Sequence, residues 1–194
     1  ALRRFAPAAA REAAAASSHR EAYSLYRIAL AQRARLPREE RAELLEGCSV
    51  EAYLCGRATE AVDARREALA IWTAMERPDR AGVAQRWLSR LHWWAGDRER
   101  AERAAEEAVR LLEARDPDHE LAMAYSNLAQ LHMLAERDDA AVEWGERAIA
   151  HGRALGDAEV LTHATSNVGV IRLRRQGDTA MLEEAFAIAS EARM

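Results

Sequence analysis

The sequence predicts an all-α protein in which helix pairs are stacked as an α-solenoid, and three observations predict it. First, several residue columns recur at a shift of 40: Gly56 and Gly96; Ala61, Ala101 and Ala141; Ala68, Ala108 and Ala148; Cys48, Leu88, Leu128 and Val168. Small residues follow in Ser49, Ser89, Ala129 and Gly169, and bulky ones in Tyr53, Trp93, Met133 and Leu173. Second, apolar and alanine positions within each period recur at three- and four-residue steps, the spacing of one helix face. Third, two kinds of break alternate in phase. A fixed period of this length is the mark of a repeat array, in which each unit buries its flank against the next.

The elements follow in order. Breaks inside the repeats fall at Ser17-Ser18, Gly56-Arg57, Gly96-Asp97, Glu136-Arg137-Asp138 and Gly177-Asp178. There glycine can take positive φ and aspartate can cap the next helix, so these are hairpin turns. Breaks between repeats carry Pro37, Pro78, Pro117 and Gly156-Asp157. Proline stops one helix and suits the first turn of the next. The expected helix pairs are residues 3–16 and 19–35, 38–55 and 58–75, 79–95 and 98–114, 118–135 and 138–154, and 157–175 and 179–192. They form one solenoid over 1–194, in repeats of about 1–36, 37–77, 78–116, 117–155 and 156–194. The alanine run ending at Ala16 is ordinary helix, because alanine has the highest helix propensity and lets helices approach closely.

Composition narrows the chemistry. Of 194 residues, 49% are apolar and 31% charged, the balance of a folded soluble protein, and the net charge is only −4. All 28 basic residues are arginine. The abundance of arginine and alanine reads most simply as a high-GC codon bias, but it also excludes a phosphate-binding P-loop and a Schiff-base lysine from this segment. Apolar runs fall short of a membrane span, and Arg3-Arg4 lead into no signal-like region, so the segment is expected to be cytoplasmic without membrane contact. Cys48 and Cys55 are seven apart on one helix, about 10 Å along its axis, beyond disulfide reach. The chain starts at Ala1 without an initiator methionine and stops at Met194 inside a helical pattern, as expected of a piece of a longer protein.

The segment Ala124-Tyr125-Ser126-Asn127-Leu128-Ala129-Gln130-Leu131-His132, followed by Ala141 and Ala148, resembles the tetratricopeptide repeat (TPR): an aromatic, Asn-Leu-small, then two alanines seven apart in the second helix. Trp87-Leu88-Ser89 with Gly96-Asp97, Ala101 and Ala108 matches again, as do Ser166-Asn167-Val168-Gly169 and Cys48-Ser49 with Gly56, Ala61 and Ala68. The first repeat matches mainly through Ala22, Tyr26 and Ala29. The resemblance implies a right-handed superhelix. The departures are a period of 40, longer than usual for the family, and Arg172 at a normally aromatic position.

Over almost the whole chain, the runs at 23–30, 86–93 and 121–131 also resemble the TPR region of large bacterial LuxR-type regulators, in which a signal-transduction ATPase module precedes the repeats and a helix-turn-helix domain follows them. That implies a non-catalytic interaction or effector-sensing domain of a transcription regulator, with ATP and DNA bound only outside this segment and no cofactor within it. The expected partner is a protein, a peptide or a small effector in a concave groove, with self-association possible and no direct nucleic-acid contact. The alternative is a stand-alone TPR adaptor that binds a client peptide in its groove.

Family geometry puts the first helix of each pair on the groove, which makes Arg86, Arg90, Trp93, Trp94, Asn127, Gln130 and Asn167 the candidate binding residues, with Glu46, Val50 and Leu173 on or near the same face. In peptide-binding relatives the asparagine equivalent to Asn127 and Asn167 bonds a ligand backbone. The plainer alternative is that both amides satisfy neighbouring helices. Adjacent Trp93 and Trp94 point about 100° apart, so one is expected to pack and the other to reach the groove. Trp72 and Trp144, on second helices, read as packing residues. The histidines never fall three or four apart, so no helical metal pair exists, and the recurrence of His92 at His132 reports the fold. Capping accounts for the cluster at Asp116, Asp118, His119 and Glu120. Arg172, Arg174 and Arg175 are too few for a nucleic-acid stripe. No base stands beside a nucleophile with an orienting group, so no enzyme activity is expected.

Overall fold

Four of the five hairpin turns close in the same way, the exception being Gly177, whose N–H donates to the Leu173 carbonyl four residues back, and the local sequence explains how. At Gly96 the backbone is left-handed (φ 78°), its N–H donates to the Trp93 carbonyl at 3.0 Å, and the Asp97 N–H donates to the His92 carbonyl at 2.9 Å. This bond pair is a Schellman motif, which satisfies carbonyls at the end of the helix that would otherwise lack partners. The same pair recurs at Gly56-Arg57 and Gly156-Asp157. It recurs also at Ser17-Ser18, Glu76-Arg77 and Glu136-Arg137, where a residue with a side chain takes the left-handed position. That conformation costs an L-residue about 1–2 kcal/mol. Gly96→Ala is therefore expected to lower stability by about 1 kcal/mol, while Glu136→Gly should be neutral or slightly stabilising, as read in urea titrations.

The structure, a computed structural model, describes residues 2–31 and 36–193, with the backbone alone for 2–4. Among them are ten helices and no strand: α1 (Leu2–Ala15), α2 (His19–Leu30), α3 (Arg38–Leu54), α4 (Ala58–Ala74), α5 (Pro78–Trp94), α6 (Arg98–Leu112), α7 (His119–Leu134), α8 (Asp138–Leu155), α9 (Ala158–Gln176) and α10 (Ala180–Glu191). Where described, boundaries agree with the sequence reading to within two residues, except that α2 ends at Leu30. The expected continuation of that helix over 32–35, and Met194, lie outside the described residues. Of the three prolines between repeats, Pro37 immediately precedes α3, Pro78 is the first residue of α5, and Pro117 stands two residues before α7.

Two compact bodies divide the chain, Ala1–Ala104 and Ala105–Met194, with the boundary inside α6. In the N-terminal body α1 packs on α2, α2 on α3, α3 on α4 and α4 on α5. In the C-terminal body α7 packs on α8, α8 on α9 and α9 on α10, and α7 also meets α9. Within each body these helices pack on their neighbours in sequence.

The 40-residue columns are the buried seams of this packing. Ala61, Ala68, Ala101, Ala108, Ala141 and Ala148 are completely buried, as are Ser49, Ser89 and Ala129, and Cys48, Leu88, Leu128 and Val168 are nearly so. Small residues are needed because backbones come close: Ser49 Oγ on α3 donates to the Ala61 carbonyl on α4 at 2.8 Å. Gly145 on α8 leaves room for the Val168 side chain of α9, which a β-carbon at 145 would strike. The column of Tyr53, Trp93, Met133 and Leu173 is different in kind. The first three are half-buried and Leu173 is exposed, so its bulk serves the surface edge of the helix pairs and not the core.

Candidate functional site

In the N-terminal body the candidate residues lie along the second half of α5. Arg86 is half-buried with its guanidinium over the Trp87 ring, 5.8 Å from the centroid. Arg90 is exposed and lies 5.7 Å over Tyr53 of α3. Trp94, 66% exposed, meets the same tyrosine edge-on at 5.8 Å. Trp93 points elsewhere, half-buried beneath Arg98 at 5.8 Å. Arg90, Tyr53 and Trp94 therefore form one exposed corner, with a flat apolar ring beside a cation held by its stacking.

In the C-terminal body Asn127 and Asn167 are both buried, and Gln130 is half-buried. Asn167 Nδ2 donates to the Ser126 carbonyl at 3.2 Å, tying α9 to α7. One turn earlier, Ser126 Oγ is hydrogen-bonded to His163 Nδ1 at 2.7 Å. These contacts join two first helices of successive repeats, a helix-bridging use of the amide. Asp118 caps α7 by accepting from the Leu121 amide, and Asp157 caps α9 by accepting from Val160. His119 Nδ1 donates to Asp157 at 2.6 Å. Burial pushes the Asp157 carboxyl up, but the His119 bond and the capping amides outweigh it and hold the group below the usual carboxylate range. A carboxyl lowered on folding adds stability above its unfolded value, and that contribution is lost as pH falls through the folded one.

Two clusters have no counterpart in the sequence reading. Glu46 of α3 is a hub whose carboxylate accepts from Trp72 Nε1 at 3.1 Å and Arg80 Nη2 at 2.5 Å and pairs with Arg65 at 3.4 Å. Arg65, only 2% exposed, also donates to the Glu46 carbonyl and lies 5.2 Å over Trp87. One signal could have revealed it: at successive shifts of 40 Arg65 is followed by Ala105, Gly145 and Ala185, and Trp72 by Leu112, Gly152 and Ala192. The second cluster is a sandwich. The Arg147 guanidinium sits 4.2 Å from the Tyr125 ring and 4.4 Å from Trp144, and donates to both the Tyr125 hydroxyl and Glu113. Burial, and then the hydrogen bond to Glu113, pushes the Tyr125 phenol up to about 12. Tyr125 is thus a structural phenol. Cys48 is equally inert, its thiol pushed up to about 11 by burial.

Among the described residues no group of three His, Cys, Asp or Glu could hold a metal ion, and no helix is long and apolar enough to cross a membrane. A cleft of about 510 Å³ opens in the N-terminal body, with Tyr23, Leu45 and Cys48 in its lining beside the carboxylates of Glu60, Asp63 and Glu67.

No protein-family model matches the chain, and no curated protein matches it. Solved structures do. A putative kinesin light chain from Podosopora anserina with nearly identical TPR-like repeats is similar over 99% of this chain and 97% of its own, at 20% identity and a TM-score of 0.74. A Signal Transduction ATPase with Numerous Domains from Pyrococcus horikoshii, which has a tetratricopeptide repeat sensor, is similar over 97% of this chain and 29% of its own, at 15% identity and a TM-score of 0.76. PlcR of Bacillus thuringiensis, solved in complex with the peptide PapR7 and DNA, is similar over 97% of this chain and 68% of its own, at 14% identity and a TM-score of 0.72. At these identities the likeness is one of fold, and the fold it shows is the TPR-like helical repeat.

Proposed function

We propose that this segment is a non-catalytic protein-interaction or effector-sensing domain of a bacterial LuxR-type ATPase regulator, acting in the cytoplasm. The observation that carries the interaction reading is the exposed corner on α5. Trp94 and Arg90 are of the residue types that dominate binding energy at interfaces, and both stand on a rigid helix with the tyrosine beneath them. A solenoid can hold such a surface without a catalytic group. Two structural neighbours favour a sensing role by analogy: one is a signal-transduction ATPase with a TPR sensor, and the other was solved bound to a peptide and DNA. The regulator reading rests on the sequence runs at 23–30, 86–93 and 121–131. In this reading ATP and DNA are bound by other modules of the parent protein, and the repeats take a peptide, a protein or a small effector.

Two results test this. The parent reading frame is expected to encode a P-loop module before this segment and a helix-turn-helix after it. A frame with neither would refute the regulator reading and favour a stand-alone adaptor. For the surface itself, a partner captured by the full protein is expected to lose at least about tenfold in affinity with Arg90→Ala/Trp94→Ala, while the melting temperature is unchanged. Unaltered affinity would remove this corner from the binding site.

A further inference from the structure

A second cleft in the N-terminal body, about 320 Å³, lies where the first turn of α4 meets the end of α5 and the start of α6. This volume is at the lower end of small-ligand clefts, which span roughly 300–1,000 Å³. Its polar lining is Thr59, Asp63, Arg66, His92, Asp97 and Arg100. His92 is the informative member. Its residue is 93% buried, from an exposure of 7%, and among the described residues its ring nitrogens have no hydrogen-bonding partner. Neither ring nitrogen is among the fully buried polar atoms that lack a partner, so the imidazole edge opens to the cleft and can bond what enters it.

The rest of the lining indicates the charge of that ligand. Arg66 is exposed and forms no ion pair or hydrogen bond among the described residues, so its five donors are available. Arg100 pairs through Nη1 with Asp97 Oδ2 at 3.3 Å, while Asp97 Oδ1 accepts the Arg100 backbone N–H at 3.1 Å, which leaves the other guanidinium donors of Arg100 for a ligand. The first turn of α4 contributes the Thr59 hydroxyl and the Ala58 and Thr59 amides of its N-terminus, while the Glu60 amide is taken up by the Glu60 carboxylate. Burial first, and then the guanidinium of Arg66, lowers the His92 pKa; Arg100 and Arg103 act in the same direction and Asp97 opposes them. The imidazole therefore senses a net positive field. Asp63 alone stands as an unpaired carboxylate on the rim.

We propose that this cleft is a binding site for a phosphate group, free or esterified to a small molecule, held by Arg66, Arg100, His92 and the first turn of α4. Phosphate suits the donor set better than a carboxylate. Two guanidiniums, an imidazole N–H, a hydroxyl and helix-end amides exceed what two carboxylate oxygens can accept, and helix N-termini favour multiply charged anions. The site goes beyond the interaction reading above and does not depend on it.

The test follows His92 in the full chain by nitrogen-detected imidazole spectra. Inorganic phosphate is titrated at constant ionic strength, with acetate and glycerol phosphate as parallel probes. Phosphate is expected to shift the His92 signals saturably and to raise the His92 titration midpoint, because a bound dianion favours imidazolium. His19 and His119 should be unaffected. Arg66→Gln, a change at the surface that should leave the fold intact, is expected to weaken binding about tenfold, and Asp63→Asn to tighten it severalfold. Tighter binding of glycerol phosphate would mark an esterified ligand, and equal binding free phosphate. The proposal is overturned if His92 does not respond, if acetate binds as tightly as phosphate, or if Arg66→Gln binds phosphate as wild type does.

Discussion

Ala101→Arg is expected to unfold the N-terminal body in mild denaturant, with a loss of at least about 4 kcal/mol. Ala101 is completely buried, in the same column as Ala61, whose carbonyl receives the Ser49 hydroxyl across the α3–α4 seam. An arginine there must force the seam apart, which costs about 1–3 kcal/mol, and must also bury a charge without a partner, which costs several more. Thermal melts followed by circular dichroism read the effect. Leu128→Ala, in the neighbouring leucine column, is expected to cost about 2–5 kcal/mol by leaving a cavity. An Ala101→Arg protein that melted as wild type does would contradict the seam.

Glu46→Leu should cost nearly as much, about 3–5 kcal/mol, for the opposite reason. Removing the carboxylate leaves Arg65 buried with its principal counter-charge gone and leaves the Trp72 indole N–H and the Arg80 guanidinium without their acceptor. The second substitution in the test is Arg65→Leu in the same chain. Because a buried ion pair yields little net stability over apolar side chains of similar size, the double variant should recover the part of the loss due to Arg65, leaving that due to the Trp72 N–H and Arg80. Failure to recover would mean that Arg65 is held mainly by Ser49, the Glu46 carbonyl and the Trp87 ring, and not by the carboxylate.

Helices and turns were legible in the sequence because their cause is local. Gly56, Gly96 and Gly177 mark left-handed turns directly, and the breaks at Ser17, Glu76 and Glu136 reach the same conformation without glycine because the repeat imposes it. Of these, the sequence reading placed 17 and 136 at turns through the period alone. The seams were legible for a similar reason, since a column that stays small across repeats can only be a close contact. What stayed hidden was charge inside the protein. The sequence placed Glu46 on or near the groove face and assigned Arg65 no role, and no local pattern reveals that the fold pairs them. The same limit held at the candidate site. The sequence distinguished one packing tryptophan from one exposed but could not say that Tyr53 lies beneath both Arg90 and Trp94. Nor could spacing reveal that the Asn167 amide reaches the Ser126 carbonyl on another helix. His92 recurs at His132, yet their surroundings differ: His92 opens on a cleft, whereas His132 Nδ1 accepts a hydrogen bond from Arg137 at 2.8 Å.

Residue-resolved amide hydrogen exchange is the most direct test of the register that underlies this account. Protection is expected to follow the period of 40 within each body, highest in the helical turns around Ala61, Ala68, Ala141 and Ala148 and lowest at the turns around Gly56, Gly96, Glu136 and Gly177. Protection that ignored this period, for instance a single slow-exchanging block with the alanine seams exchanging as fast as the turns, would contradict it.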